Sequence, residues 1–254
     1  MKYTAVVLAG SRPGRDAFAE RYGARVKALI PLSGEPMVRR PVRALLASER
    51  IGEVIVLAQD PGLIADALPS DARLQLRQSG ETIASTMLAL CFDRETRWPL
   101  LVTTADHALL DSLTVDEFCL AATDEDLAVG VVEREALVRR LPNTRRTWLR
   151  FRSGAYTGAN LFALKSPKVA AAIELWRSVE QDRKKGWRIV SLLGPVVLIG
   201  TALHLLSIDD VLARLGRKIG LRVHAVRLSN PLAGVDVDKA EDHALAEAIL
   251  EGRA

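Results

Sequence analysis

The chain has 254 residues, 49% hydrophobic and 26% charged, with 5% aromatics and a net charge of +4. That balance excludes a disordered or fibrous chain and fits one large α/β domain whose core is built from Val, Ile, Leu and Ala. The mild positive excess suits polyphosphates or an anionic surface, but no aromatic-interleaved basic patch accompanies it, so nucleic acid is not an expected partner. Cys91 and Cys119 lack metal or redox spacing and read as small core residues of a reducing compartment. Met1-Lys2-Tyr3-Thr4 leads straight into an apolar run without a signal-peptide pattern, and a cytoplasmic location is expected.

Ala5–Ala9 is a short apolar run ending at Gly10 and reads as a buried parallel strand. A helix is predicted over Val38–Ser48, a strand over Glu53–Leu57, a short helix over Pro61–Leu68 and a weaker strand over Leu74–Arg77. Ser79–Cys91 reads as a helix with Ser79 as its cap. Leu100–Thr104 is a strand closing on Ala105-Asp106-His107, and Val115–Ala122 is a helix. Strands separated by helices in this way imply βαβ units and a mainly parallel sheet. Beyond Leu127 the pattern changes: strands are predicted at Leu127–Val132 and Thr147–Arg152 without a clear helix between them, and at Tyr156–Leu164. A helix over Pro167–Glu180, a strand over Arg222–Arg227, an extended Val235–Asp238 segment and a helix over Ala240–Glu251 complete the pass. No repeat or low-complexity linker divides the chain, so a single domain over 1–254 is expected.

Ile189–Ile208 carries no formal charge if His204 is neutral, and lies between Arg183-Lys184-Lys185 with Arg188 on one side and Asp209-Asp210 on the other. Its length meets the crude threshold for a membrane span, but Gly194-Pro195 and Gly200 interrupt it. Three readings stay open: a span, a lipid-contacting surface hairpin, or buried core or oligomer contact. The expectation is an apolar helical insertion near 184–220.

Four pieces carry chemistry. Leu8-Ala9-Gly10-Ser11-Arg12-Pro13-Gly14-Arg15 follows the first strand, where open α/β sheets bind phosphates on backbone N–H groups and Arg forks. It is not the dinucleotide fingerprint, because no Gly-x-x-Gly opens a helix afterward. Lys27 is placed to return positive charge to that loop. Asp106, at the carboxyl end of the Leu100–Thr104 strand, can hold Mg²⁺ or Mn²⁺ over the same cleft or else cap the next helix; His107 is placed behind it. Asp236 and Asp238 alternate along an extended segment and so share a face, where paired carboxylates favour a cation; Asp238 could instead cap the last helix with Glu241.

Together these pieces resemble the nucleotidyltransferase superfamily with the GT-A-like (Rossmann-like) fold, above all the molybdenum-cofactor-nucleotidyltransferase-like group and the cytidylyltransferases. The likeness covers Tyr3 to about Gly130, then Gly158–Ser166 and Asp236–Ile249. It implies that Leu8, Ala9, Gly10, Ser11, Arg12, Gly14 and Arg15 cradle a nucleoside triphosphate with Lys27, that Gly34, Pro36 and Met37 form the family turn, and that Thr104 and Ala105, also nucleotide-binding, lead to the metal aspartate Asp106. It implies base recognition at Ser79, Gly80, Thr82 and Ser85, a closing metal pair in Asp236 and Asp238, and acceptor contacts at Gly158 and Asn160. Arg183 and Lys184 are read as further acceptor or head-group contacts. The sequence departs from the family in a longer Gly14–Lys27 loop, in Gly10-Ser11 where Gly-Gly is common, and in the Ile189–Ile208 run, which invites a lipid-linked acceptor.

The expected reaction is transfer of a nucleoside monophosphate to a phosphorylated small-molecule or lipid-linked acceptor with release of pyrophosphate. Lys27, Arg12 and Asp106 are its expected catalytic residues. A glycosyltransferase using a nucleotide sugar is the first alternative, although Thr104-Ala105-Asp106 lacks the first Asp of an Asp-x-Asp. A non-catalytic nucleotide-binding regulator is the second. Base, acceptor and oligomeric state are left open.

Overall fold

Successive side chains of β1 (Tyr3–Leu8) point to opposite faces of a central sheet, and both faces are covered: Ala5 and Val7 enter one core, Val6 another. This is why the run is apolar at nearly every position. The computed structural model describes residues 1–10, 14–122, 124–180 and 204–254. β1 pairs in parallel with β4 (Ile51–Ala58) on one side and β6 (Leu100–Thr104) on the other, and β5 (Leu74–Gln78) extends the β4 side in parallel. Beyond β6 comes β9 (Gly154–Leu164), antiparallel, then β7 (Leu127–Glu133), antiparallel to β9, and β10 (Val223–Arg227), parallel to β7. The short β8 (Leu149–Phe151) folds back on β9 to complete an eight-stranded sheet. β2 (Pro31–Leu32) and β3 (Glu35–Pro36) form a separate hairpin turned by Ser33 and Gly34, both at positive φ.

On the Val7 face lie α2 (Arg39–Ala47) through Val42 and Leu45, α5 (Ser112–Ala121) through Val115 and Phe118, and α9 (Ala240–Leu250) through Ala246. On the Val6 face lie α4 (Ile83–Phe92) through Met87 and Leu88, and α7 (Ala170–Glu180) through Ile173. The mixed, mostly parallel α/β architecture read from the sequence is therefore the one found. Its chain order places a switch point at β1. The chain leaves β1 toward β4 and β5, then crosses back to β6 on the other side, and such a reversal opens a crevice at the strands' carboxyl ends.

Several local expectations are corrected. Between Leu127–Val132 and Thr147–Arg152 there is a helix, α6 (Arg134–Arg140), in which only Leu137 is buried; seven residues leave too little periodicity to read. The helix after β5 begins at Ile83, not Ser79. Thr82 is its cap, with reciprocal bonds to Ser85, while the Ser79 amide still bonds the Ala58 carbonyl at the sheet edge. Asp238 does not cap α9; Lys239 holds that position without a side-chain bond. Among the elements that went unread are α1 (Ala17–Arg21), capped by Asp16, and the 3-10 turn Lys27–Leu29. The helix within the expected insertion is α8 (Ile208–Lys218), capped by Ser207 and Asp210. Of the expected apolar insertion near 184–220, residues 184–203 lie outside the described residues. The rest holds α8, which buries Ile208 but carries Asp209, Asp210, Arg214, Arg217 and Lys218, so that part is amphipathic rather than apolar. Among the described residues no helix is long and apolar enough to cross a membrane.

His107 sits in the turn after β6, almost fully buried, with Nδ1 3.1 Å from the Thr103 hydroxyl. Burial, partly offset by Asp106, pushes its pKa down to about 4. A histidine kept neutral in the fold takes up a proton more readily unfolded, so its contribution to stability is complete above about pH 6.5 and is lost as pH falls toward 4. In chelator-containing buffer, the unfolding free energy is expected to fall by up to about 3 kcal/mol across that window from this group alone. Denaturant titrations of His107→Gln are expected to lose that part of the slope. Thr82→Ala removes the cap of α4 and is expected to lower stability by about 1 kcal/mol in the same assay.

Candidate active site

The carboxyl ends of β1 and β6 are adjacent, tied by the Ala105 amide to the Leu8 carbonyl at 3.0 Å. Leu8 is followed by the buried Ala9, whose amide bonds the Leu57 carbonyl, and then by Gly10. A Cβ at Gly10 would lie 2.9 Å from Gln59 Nε2, so the chain passes close to the end of β4 there. Ser11 and Arg12 lie outside the described residues. Gly14 is at positive φ in open space, and Arg15 is exposed with its Nε donating to Glu20. The start of α1 then brings the chain round to Val26 and Lys27.

Asp106 follows β6. Its Oδ1 accepts from the Thr104 hydroxyl at 2.5 Å, which fixes the carboxylate's direction. Its carbonyl accepts from the Val237 amide at 3.1 Å, which fastens the Val235–Asp238 segment across the sheet edge. Val235 and Val237 are fully buried, so the alternation turns Asp236 and Asp238 the other way, toward Asp106. Lys27 closes the cluster. Its ammonium donates to Asp106 Oδ2 and to Asp238 Oδ1, both at 2.5 Å, with its side chain 22% exposed and that of Asp106 17%.

The electrostatics follow from this arrangement. Burial works against the Lys27 charge, but the Asp106 and Asp238 carboxylates outweigh it and hold the ammonium above the usual lysine range. Asp238 is also opposed by burial, yet the Lys27 contact keeps its carboxyl below the usual range. Burial raises Asp236, Arg146 pulls it back, and the charges of Asp238 and Asp106 add to the rise. Among the described residues no three His, Cys, Asp or Glu side chains are arranged to hold a metal ion, and a lysine lies between the Asp106 and Asp238 carboxylates.

Sequence reasoning missed Arg146. It stands on the loop between α6 and β8, donates from Nη1 to Asp236 Oδ1 and from Nη2 to the Asp236 carbonyl at 2.9 Å, and reaches Asp242 at 3.3 Å. The doubled Arg145-Arg146 in a polar loop was the only signal available. Asn160 joins from β9, donating to Asp236 Oδ2 at 3.3 Å from a backbone at φ 45°, where the β7–β9 register slips. Asparagine tolerates that left-handed conformation better than most residues. Gly158 is exposed on the same strand. Ser79, Gly80, Thr82 and Ser85 lie at the carboxyl end of β5. There Thr82 and Ser85 are occupied with each other, and the Gly80 amide donates to the Thr86 hydroxyl. A Cβ at Gly80 would sit 2.7 Å from Ser85 Oγ, so glycine is needed for the loop to lie against the helix start. Arg183 and Lys184 lie outside the described residues.

The sequence profile of the MobA-like NTP transferase domain matches residues 5–197. A hypothetical transferase from Thermus thermophilus is 34% identical, covers 96% of this chain and 100% of its own, and superposes with a TM-score of 0.79. The fold is shared with the 4-diphosphocytidyl-2C-methyl-D-erythritol synthase of Anaerococcus prevotii, at 10% identity, 98% and 96% coverage and a TM-score of 0.60. It is shared as well with a CMP:2-keto-3-deoxy-manno-octonic acid synthetase complexed with CTP, at 14% identity, full coverage of both chains and a TM-score of 0.59. No curated protein matches the chain. With the profile spanning most of its length and a full-length structural relative at 34% identity, the chain belongs to the family of the MobA-like NTP transferase domain.

Proposed function

We propose that this protein transfers a nucleoside monophosphate from a nucleoside triphosphate to a phosphorylated acceptor, with release of pyrophosphate. The observation that carries the reading is the Lys27 ammonium held between Asp106 and Asp238 at the carboxyl ends of β1 and β6, beside the Gly10 loop. A site that gathers carboxylates around one cation beside a glycine loop suits a polyphosphate bound with a divalent ion.

The donor set fits such an ion. Asp106 and Asp238 offer hard oxygen ligands converging on one point, and Mg²⁺ commonly takes one or two carboxylates and completes its shell with water and substrate phosphates. Asp106 and Asp238 would hold Mg²⁺ or Mn²⁺, with Asp236 beside them. The ion would supply charge neutralisation at the α-phosphate and at the leaving oxygen. An acceptor phosphate oxygen forms a bond to the α-phosphorus while the bond from that phosphorus to the bridging α–β oxygen breaks, and pyrophosphate carries away the electron pair. Lys27 would shift from the carboxylates to the phosphates and stabilise charge on the leaving group. Arg12, four positions after Leu8 in the sequence, is the second cation assigned to that charge. Thr104 keeps Asp106 aimed at the cleft through its 2.5 Å bond. Ser79, Gly80, Thr82 and Ser85 are assigned to the base, and Gly158, Asn160, Arg183 and Lys184 to the acceptor.

The test is pyrophosphate release from CTP, UTP, GTP and ATP with Mg²⁺ over a panel of phosphorylated acceptors. One nucleotide with one acceptor is expected to dominate, and Asp106→Asn is expected to lose on the order of 100-fold or more in rate. Saturable nucleotide binding without pyrophosphate release from any pair would contradict the reading.

A further inference from the structure

The acidic cluster contains two ion-pair systems, which meet where the Asp236 carboxyl lies against that of Asp238. Lys27 serves Asp106 and Asp238. Arg146 serves Asp236 and Asp242, and its side chain is only 10% exposed. Both carboxylate oxygens of Asp236 are taken on that side, Oδ1 by Arg146 and Oδ2 by Asn160. Asp242 uses its other oxygen for the Asp238 amide at 3.3 Å, so the Arg146 network also grips the backbone of the residue bound to Lys27. The arrangement calls for a planar fork: one guanidinium spans a carboxylate, a carbonyl and a second carboxylate, which an ammonium on a flexible stem does not. Nothing in the proposed chemistry requires Arg146 to touch a substrate. Its loop is anchored from outside by Arg134 over the Trp148 ring, 5.9 Å from its centroid.

We propose that Arg146 is a positioning residue that offsets the charge of Asp236 and fixes its direction beside the Lys27 centre, so that Asp106 and Asp238 face the cation there as a pair. This rests on the reading of the Lys27 centre as the metal–nucleotide site. Without Arg146, the charge of Asp236 beside Asp106 and Asp238 is no longer offset and its carboxylate is no longer held in one direction. The centre then binds a free divalent ion more tightly yet holds it in the wrong place for transfer.

The test measures Mn²⁺ affinity by electron paramagnetic resonance in the absence of nucleotide, together with kcat and KM, for Arg146→Gln, Arg146→Lys, Asp236→Asn and the Asp236→Asn/Arg146→Gln double variant. Circular dichroism confirms folding. Arg146→Gln is expected to tighten Mn²⁺ several-fold while kcat falls at least tenfold and KM for the nucleotide stays within about threefold. Arg146→Lys is expected to fall between it and the wild type. In the Asp236→Asn background, Arg146→Gln is expected to change Mn²⁺ affinity less than twofold. A folded Arg146→Gln protein with unchanged Mn²⁺ affinity would overturn the proposal, as would an Arg146→Gln effect of the same size with Asp236 already removed. If Arg146→Gln simply unfolds, Arg146→Lys with wild-type Mn²⁺ affinity and kcat overturns it. Because the Mn²⁺ measurement needs no turnover, a protein that releases no pyrophosphate but shows the expected affinity pattern would fail the functional reading and keep this one.

Discussion

Carboxylates gathered at one sheet edge repel, and the site depends on how that repulsion is met. Two unit charges 4 Å apart interact by about 4 kcal/mol at the effective dielectric of a protein surface, a large share of a domain's net stability. Asp106, Asp236 and Asp238 therefore cannot remain ionised together without cations. Lys27 and Arg146 divide that task, and Asp236, raised first by burial and then by the charges of Asp238 and Asp106, is left the least compensated of the three. A centre left short of positive charge has affinity for a further cation, and its mouth is the crevice where an α/β sheet reverses direction.

The fold serves this arrangement through backbone contacts. β6 sets the position of Asp106, and the Val237 amide on the Asp106 carbonyl brings a segment from the end of the chain to the same place. Burial of Val235 and Val237 decides which way Asp236 and Asp238 point. The side chains that perform chemistry are thus aimed by apolar neighbours one residue away. A left-handed Asn160 at a slip in strand register adds a polar contact from β9 that a regular strand would not direct toward Asp236.

The legible parts of the sequence were those where one local pattern carries the signal. β1 and β6 are buried on both faces and read as continuous apolar runs ending at Gly10 and at Asp106. Val-Asp-Val-Asp reads as an alternating segment because two faces with opposite demands impose it. What failed was short or distant. α6 spans less than two full turns, and Thr82 outcompetes Ser79 as a cap because Ser79 is still engaged with β4. The contact of Lys27 with Asp238 joins residues 211 positions apart, and that of Arg146 with Asp236 joins residues 90 apart. Lys27 was found because a family pattern marks it. Arg146 lies in a polar loop with no periodicity, and only the folded chain reveals its partner.

The central claim is that Lys27 stands where a metal-bound triphosphate docks, so the most direct measurement is calorimetric binding of nucleoside triphosphates to the wild type and to Lys27→Met, with and without Mg²⁺. The account predicts that one nucleotide binds the wild type tightly only with Mg²⁺, and that Lys27→Met weakens this binding at least tenfold. Binding that needs no divalent ion, or that is indifferent to Lys27, would contradict it.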